Sequence, residues 1–215
     1  MLQKVKPTSA SRRQLIKLNS KSLNISKKPL LKSKIAGKKN SSGRNNSGKI
    51  TVFHKGGGVK QKYREINFDR KYNSTGIVCT IEHDPNRNAY ISSVFDFIDK
   101  TFYYILTPQN LRVGDIVKSG LKAAPTLGSS LPIANIPIGT PIHNIAPTLK
   151  SSGQISRSAG TFSIIKEKTE KYCIIELSSG EQRYISPNCF ASIGEVSKEL
   201  FFLTRLGKAG QSRWR

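Results

Sequence analysis

Acid is what this sequence has least of. It holds 13 Asp or Glu against 36 Lys or Arg, a formal net charge of +23 over 215 residues. A chain so basic repels itself and gains from lying against a polyanion, either nucleic acid or an anionic membrane surface. The deficit is uneven. Residues 1–64 carry 18 basic residues and no acidic one, and residues 200–215 carry 4 basic and none acidic. Residues 65–199 hold 14 basic and all 13 acidic residues, so the centre is nearly neutral. A balanced centre suits a compact domain. The acid-free ends have too little apolar surface to offset the entropy of ordering. They read either as solvated tails or as arms that order on RNA, and counterion release from phosphate favours arms.

Long apolar runs are missing too. No stretch approaches the ~18 apolar residues of a spanning helix, and the most apolar one, Leu131 to Pro147, is broken by prolines, Asn and Gly. No membrane span is expected. Cysteine is scarce: Cys79, Cys173 and Cys189 show no metal-pair spacing, and an odd count does not suggest a disulfide framework. Each reads as a buried core thiol in a reducing compartment. His54, His83 and His143 lie far apart, no Ser or Cys sits in a nucleophile motif, and carboxylates are scattered. The chain is therefore expected to be no enzyme, and to hold no cofactor or metal.

What is present reads as short strands. The length suits one large or two small domains. Residues 1–48 show little periodicity, and the Gly-, Asn- and Ser-rich stretch from Gly37 to Gly48 reads as an extended arm. Strand signals follow at Ile50–Phe53, Tyr63–Phe68, Gly76–Glu82, Ala89–Phe97, Thr101–Leu106 and Asp115–Val117, separated by turn formers. After a shift in composition near Ala123–Ser130 come Ile136–Ile145, Gly160–Glu167, Tyr172–Leu177 and Glu181–Ile185. Ser178-Ser-Gly-Glu181 reads as a hairpin turn. The spacing predicts antiparallel β throughout rather than alternating β and α. Ser197–Leu206 has helical character.

Three segments suit RNA on local chemistry. The triplet Gly56-Gly57-Gly58 lets backbone amides approach a phosphate, with His54, Lys55, Lys60, Lys62 and Arg64 around it; its spacing is neither a dinucleotide fingerprint nor a P-loop. Asp84-Pro-Asn-Arg-Asn88 is either a plain turn or a phosphate contact through Arg87. Gly153-Gln-Ile-Ser-Arg157-Ser-Ala-Gly-Thr161 is either a β-connection or a loop of small residues presenting one arginine. Trp214 suits stacking on a base or packing on the protein equally.

Taken in order, the motifs resemble the bacterial-type ribosomal protein L2 family over essentially the whole chain. They are Lys6-Pro-Thr-Ser9 with Arg12-Arg13, Gly43-Arg-Asn-Asn-Ser-Gly48, His54-Lys-Gly-Gly-Gly58, Tyr63-Arg64 and Glu82-His-Asp-Pro-Asn-Arg87. Tyr104-Ile-Leu-Thr-Pro108, Gly114-Asp115, Asn135-Ile-Pro-Ile-Gly139, His143-Asn144-Ile145, the Arg157 loop, Ser179-Gly-Glu181, Ile193-Gly-Glu-Val196 and Leu206-Gly-Lys-Ala-Gly-Gln-Ser-Arg-Trp-Arg215 follow. Each motif is weak alone; the ordered series is specific.

The resemblance implies an OB-fold barrel (49–125) followed by an SH3-like barrel (126–199). An extended basic arm (1–48) and a short basic tail (200–215) flank them. It implies a structural role in the large ribosomal subunit: binding rRNA, supporting assembly and the region around the peptidyl-transferase centre, among neighbouring ribosomal proteins. RNA contacts are then expected at Arg12, Arg13, Lys38, Lys39, Arg44, Asn45 and Asn46 of the arm, and at the glycine triplet with its basic flanks. Asn86, Arg87, Arg157 and Ser158 of the barrels, and Lys208, Arg213, Trp214 and Arg215 of the tail, complete the set. Family members continue past the Arg-Trp-Arg element into a basic extension with a His-Pro-His-Gly-Gly-Gly motif. Here a separate polypeptide is expected to supply it. The basic, Ser-rich start resembles a mitochondrial transit peptide, but its match to the family's own N-terminus makes it a mature RNA-binding arm. The Lys, Asn, Ser and Ile bias points to a mitochondrial ribosome, with a plastid or the bacterial cytoplasm as alternatives. A free single-strand binder is the rival reading. It would stack bases on Phe95 and Phe97, which alternate with Asp96 and fit a core equally well.

Overall fold

The computed structural model describes residues 2–19, 25–26, 28–38, 40–53, 55 and 60–213, without the side chains of residues 212 and 213. The strands, in chain order, are β1 (Leu2–Lys4), β2 (Ile16–Leu18), β3 (Ile25–Ser26), β4 (Ile35–Gly37), β5 (Lys62–Arg64), β6 (Ser74–His83), β7 (Tyr90–Asp96), β8 (Phe102–Leu106) and β9 (Ile116–Ser119). Then come β10 (Ser130–Pro132), β11 (Pro141–His143), β12 (Ser163–Lys168), β13 (Cys173–Leu177), β14 (Gln182–Ile185) and β15 (Phe190–Ile193). The helical segments are short, the longest being a 3-10 turn at Glu199–Leu203 and a helix, α1, at Ala209–Arg213. The fold is all-β, in line with an OB-fold lobe followed by a second β lobe.

Strand alternation builds each core. In the first lobe, β6 pairs antiparallel with both β7 and β9, and β7 pairs with β8. Val78, Ile81, Val94, Ile105 and Val117 point inward and pack with Tyr90 and Leu111. A bulge between Val78 and Thr80 shifts the β6 register, and Cys79 is left half-buried rather than in the core. The order in the second lobe is β10-β15-β11-β12-β13-β14. Its core is mostly isoleucine: Ile133, Ile136, Ile142, Ile145, Ile165, Ile175, Ile185 and Ile193, with Leu131 and Ala191. Cys173 and Cys189 are buried there, and burial pushes both thiols up. The expected hairpin turn is present: Leu177 N–H donates to Glu181 O, and Gly180 stands at φ +86°.

The arm is more than an extended strand. β1 and β2 form a hairpin, β3 pairs parallel with β6, and β4 pairs with β5. Leu31 and Ile66 cover Ile91, Tyr104 and Leu106 on the outer face of β7 and β8. Tyr104 anchors this cover. Its hydroxyl accepts from Leu31 N–H at 3.1 Å and donates to Glu82 Oε2 at 3.1 Å. Glu82 Oε1 in turn accepts from Leu30 N–H at 2.8 Å. Burial, chiefly, holds the Tyr104 hydroxyl up at about 12. Tyr104→Phe leaves a buried donor and a buried carboxylate oxygen short of a partner, so a loss of about 1–3 kcal/mol is expected in urea unfolding. Trypsin should also cut faster near Lys32 and Lys34. Unchanged cleavage would mean that the hydroxyl does not hold the arm.

Sequence and structure differ at Ile50–Phe53. The segment has β-branched and aromatic residues, yet it forms one isolated bridge, Arg44 to Ile50. Its backbone turns back on Gly43 O, which accepts from Thr51 and Val52 N–H.

The two lobes join along the chain and across it. β9 and β10 meet at a single parallel pairing, Ser119 to Ser130. Arg70 is buried beside it and donates from Nη1 to Gly128 O at 2.7 Å and from Nη2 to Lys118 O at 3.4 Å. Burial lowers its pKa, against an opposing pull from Tyr103. His143 is buried in the second lobe, and its Nδ1 lies 2.8 Å from Gly194 O. A carbonyl only accepts, so the neutral ring carries its proton on Nδ1. Burial pushes this imidazole down from 6.5 to about 4. The unfolded chain therefore takes up a proton that the folded chain refuses. Stability is intact above pH 6.5 and falls as the pH drops toward 4, by roughly 3 kcal/mol in all. Urea unfolding at pH 7 and pH 5 should show about 2 kcal/mol of that loss, and His143→Gln should remove most of the slope. An equal slope in the variant would exclude His143 as the cause.

Candidate nucleic-acid interface

The turn after β6 starts from a buried carboxylate. Asp84 is fully buried, and its Oδ1 accepts from Asn86 N–H at 2.9 Å, the Asx geometry that the Asp-Pro-Asn sequence favours. Its Oδ2 lies 2.6 Å from Arg87 Nε. Asn86 donates from Nδ2 to Lys62 O at 2.7 Å and accepts from Lys38 Nζ at 3.2 Å. So β4, β5 and the turn are tied together by one asparagine. Arg64, on β5, points inward: it is buried, with Nη1 3.6 Å from Asp84 Oδ1 and Nε 3.8 Å from Glu82 Oε2. The sequence reading has Arg64 on phosphate, whereas the structure places it as the counter-charge to two buried carboxylates.

The loop carrying Arg157 comes from the second lobe and is rigidly seated. Gly153 N–H donates to Phe68 O, and a Cβ at Gly153 would lie 2.2 Å from Asn144 Oδ1. Gly160, at φ +70°, donates to Val196 O and Ser197 O, and a Cβ there would come within 2.7 Å of Glu199 Cα. Thr161 Oγ1 closes the loop on Ser158 O at 2.8 Å. Small residues are thus required by packing as well as by approach to a ligand.

Phe68 brings the two arginines together. The Arg157 guanidinium stands 4.6 Å from its ring centroid, and that of Arg87 stands 5.7 Å away. Both are within cation–π range. The ring fixes two guanidinium planes from different lobes over one groove of about 660 Å³. Asn86, Ser158, Tyr63 and Gln154 line it as well. Arg157 and Ser158 are exposed and Arg87 is half-buried. Arg157 Nη1 donates to Gly153 O at 3.3 Å and Arg87 Nε to Asp84 Oδ2 at 2.6 Å, which fixes both guanidinia; planar, fixed guanidinia suit phosphate oxygens and ribose hydroxyls.

The structure therefore gathers Asn86, Arg87, Arg157 and Ser158 around this groove, with Lys38 and the Lys62 carbonyl held beside it by Asn86 and Arg64 turned away from it. Other expected residues lie elsewhere. Arg44, Asn45 and Asn46 sit on an exposed turn, in which Asn45 Oδ1 accepts from Lys49 N–H at 2.9 Å and Arg44 Nη1 donates to Gly48 O. Lys55 and Lys60 are exposed. Arg12, Arg13 and Lys208 are exposed where the arm meets the tail: Ile16 and Arg205 exchange backbone hydrogen bonds, and Gly207 packs on Ser11 O. Lys39, His54, Gly56, Gly57, Gly58, Trp214 and Arg215 lie outside the described residues, as does the side chain of Arg213. Among the described residues there is no cluster of His, Cys, Asp and Glu that could hold a metal ion, and no helix long and apolar enough to cross a membrane. Sequence reasoning missed Phe68 and Asp84, neither of which carries a free charge toward the groove.

Two family models match the chain. Residues 31–119 match a family model described as Ribosomal Proteins L2, RNA binding N-terminal domain, and residues 126–215 match one described as Ribosomal Proteins L2, C-terminal domain. The large ribosomal subunit protein uL2 of Alcanivorax borkumensis is similar, with 45% identity over 215 residues. That alignment covers 99% of this chain and 77% of the relative.

Proposed function

The chain belongs to the ribosomal protein L2 family, and from that premise we propose that it is a structural constituent of the large ribosomal subunit that binds rRNA. The observation that carries the reading is the Phe68 ring, which holds Arg87 and Arg157 from two lobes over one exposed groove. The organisation is an arm (1–48), an OB-fold domain (49–125), an SH3-like barrel (126–199) and a tail (200–215). The arm, the glycine triplet and the tail neutralise phosphates, while the groove reads backbone shape and 2′-OH groups. Neighbouring ribosomal proteins are the other partners. The protein supports subunit assembly and the region around the peptidyl-transferase centre, with no chemical step of its own and no cofactor. The Lys, Asn, Ser and Ile bias supports a mitochondrial ribosome, with a plastid or the bacterial cytoplasm as alternatives.

Sedimentation of fractionated lysate at moderate and then high salt tests this, following the chain by mass spectrometry. Co-migration with large subunits, held until the particle itself loosens, is the expected result. The fraction that contains the particles identifies the compartment. A chain that stays soluble at moderate salt would overturn the ribosomal reading in favour of a free nucleic-acid binder.

A further inference from the structure

The outer face of β7 and β8 is covered along half its length. Side chains alternate along a strand, so Ile91 and Phe95 on β7 share this face, as do Phe102, Tyr104 and Leu106 on β8. Leu31 and Ile66 seal the end with Ile91, Tyr104 and Leu106. The other end is open among the described residues. Phe95 and Phe102 stand directly opposite in register, with ring centroids 4.8 Å apart, and Phe97 meets Phe95 edge-on at 5.9 Å. β6 sets Ile77 opposite Phe95, and β9 sets Ile116 opposite Ile77. An apolar stripe thus runs across four strands. Phe97 is 49% exposed, Phe102 42% and Ile116 54%.

Asp96 is the buried member of the alternation. It is 2% exposed, and its Oδ1 accepts from Ile98 N–H at 2.9 Å, which fixes the turn with its aromatic residues outward. Scattered surface apolar residues need no explanation, but a contiguous stripe marks an interaction site.

Charge selects the occupant. Over residues 95–118, with Asp96 buried, the carboxylates Asp99 and Asp115 stand against the cations Lys100, Arg112 and Lys118, an excess of a single positive charge. The arm, by contrast, has no carboxylate at all. A phosphate backbone calls for a large local excess of positive charge, and this stretch has an excess of only one. Aromatic residues in a near-neutral surround are instead the composition of a protein–protein interface. We propose that this stripe docks a neighbouring protein of the same particle through an apolar, near-neutral surface, continuing the cover that the chain's own arm begins. The inference rests on the large-subunit reading above.

The test uses intact large subunits containing the full chain as Phe97→Cys, labelled with a benzophenone maleimide and irradiated. The unsubstituted chain, with its half-buried Cys79, gives the background. The expected product is an adduct to one defined peptide of one neighbouring protein. An adduct to rRNA, an adduct to a second copy of this chain, or no adduct would overturn the proposal while leaving the ribosomal reading intact. A chain absent from the particles would overturn both. Phe97→Asp, at an exposed position, should lower occupancy of that neighbour at least tenfold and leave rRNA retention unchanged. Full occupancy in that variant would also overturn the proposal.

Discussion

Asp84→Ala is expected to cost about 3–5 kcal/mol in urea unfolding, because it strips the partner from a buried cation. The carboxylate is fully buried, and four groups depend on it: Arg87 Nε at 2.6 Å, Asn86 N–H at 2.9 Å, Asn86 Nδ2 at 3.1 Å and Arg64 Nη1 at 3.6 Å. Without it, Arg64 keeps Glu82 alone, at 3.8 Å. The ion pair as a whole need not stabilise the fold against an apolar equivalent, but half of it is costly to leave behind. Asp84→Asn retains an oxygen for the Asn86 amide and loses the charge, so roughly half the penalty is expected. The same variants loosen Arg87 from the turn, so weaker RNA binding should follow the loss of stability. If Asp84→Ala unfolds within 1 kcal/mol of the parent chain, Arg64 does not depend on this pairing.

The role of Asp84 shows where sequence reasoning stops. Charge counting separates the acid-free ends from the balanced centre, because net charge is a property of segments and needs no contacts. It cannot say which arginine turns inward. Arg64 follows the exposed Lys60 and Lys62, yet it is buried against carboxylates contributed by the end of β6 and the turn after it. Alternation likewise gives the period of β7 but not its phase. Phe95-Asp96-Phe97 fits either parity, and the structure buries the aspartate because its carboxylate is satisfied by the next turn. A shift of one residue exchanges the two faces of a strand, so the pattern alone left the aromatic face undecided. Ile50–Phe53 shows a third limit. Its strand propensity is real, but a strand needs a partner, and the backbone there closes on Gly43 instead. The all-β character was legible because turn chemistry is local, whereas local chemistry left the Arg87 and Arg157 segments open and only the family resemblance singled them out. The ring that couples the two arginines was not legible, since it joins residues far apart in the chain, with Arg157 coming from the other lobe.

That coupling gives the second large effect. Arg157→Ala is expected to weaken binding to large-subunit rRNA by about tenfold to a hundredfold, the equivalent of about 1–3 kcal/mol. Its cost in stability should stay near 1 kcal/mol or less, because the residue is exposed and its contact with Phe68 is an exposed cation–π pair. Filter binding across a salt series separates the roles of arms and groove. Removing one phosphate contact should flatten the salt dependence by about one unit of slope. Arg157→Lys keeps the charge but loses the planar fork and its stacking on the ring. It should therefore recover the salt slope without recovering the affinity. Phe68→Leu keeps both charges while freeing both guanidinia, so it should lose affinity with an unchanged slope, a signature that charge removal cannot give. If Arg157→Ala binds with parental affinity and slope, the groove is not the RNA contact. The 18 basic residues of the first 64 would then hold the rRNA, and the two arginines on Phe68 would serve to lock the lobes together.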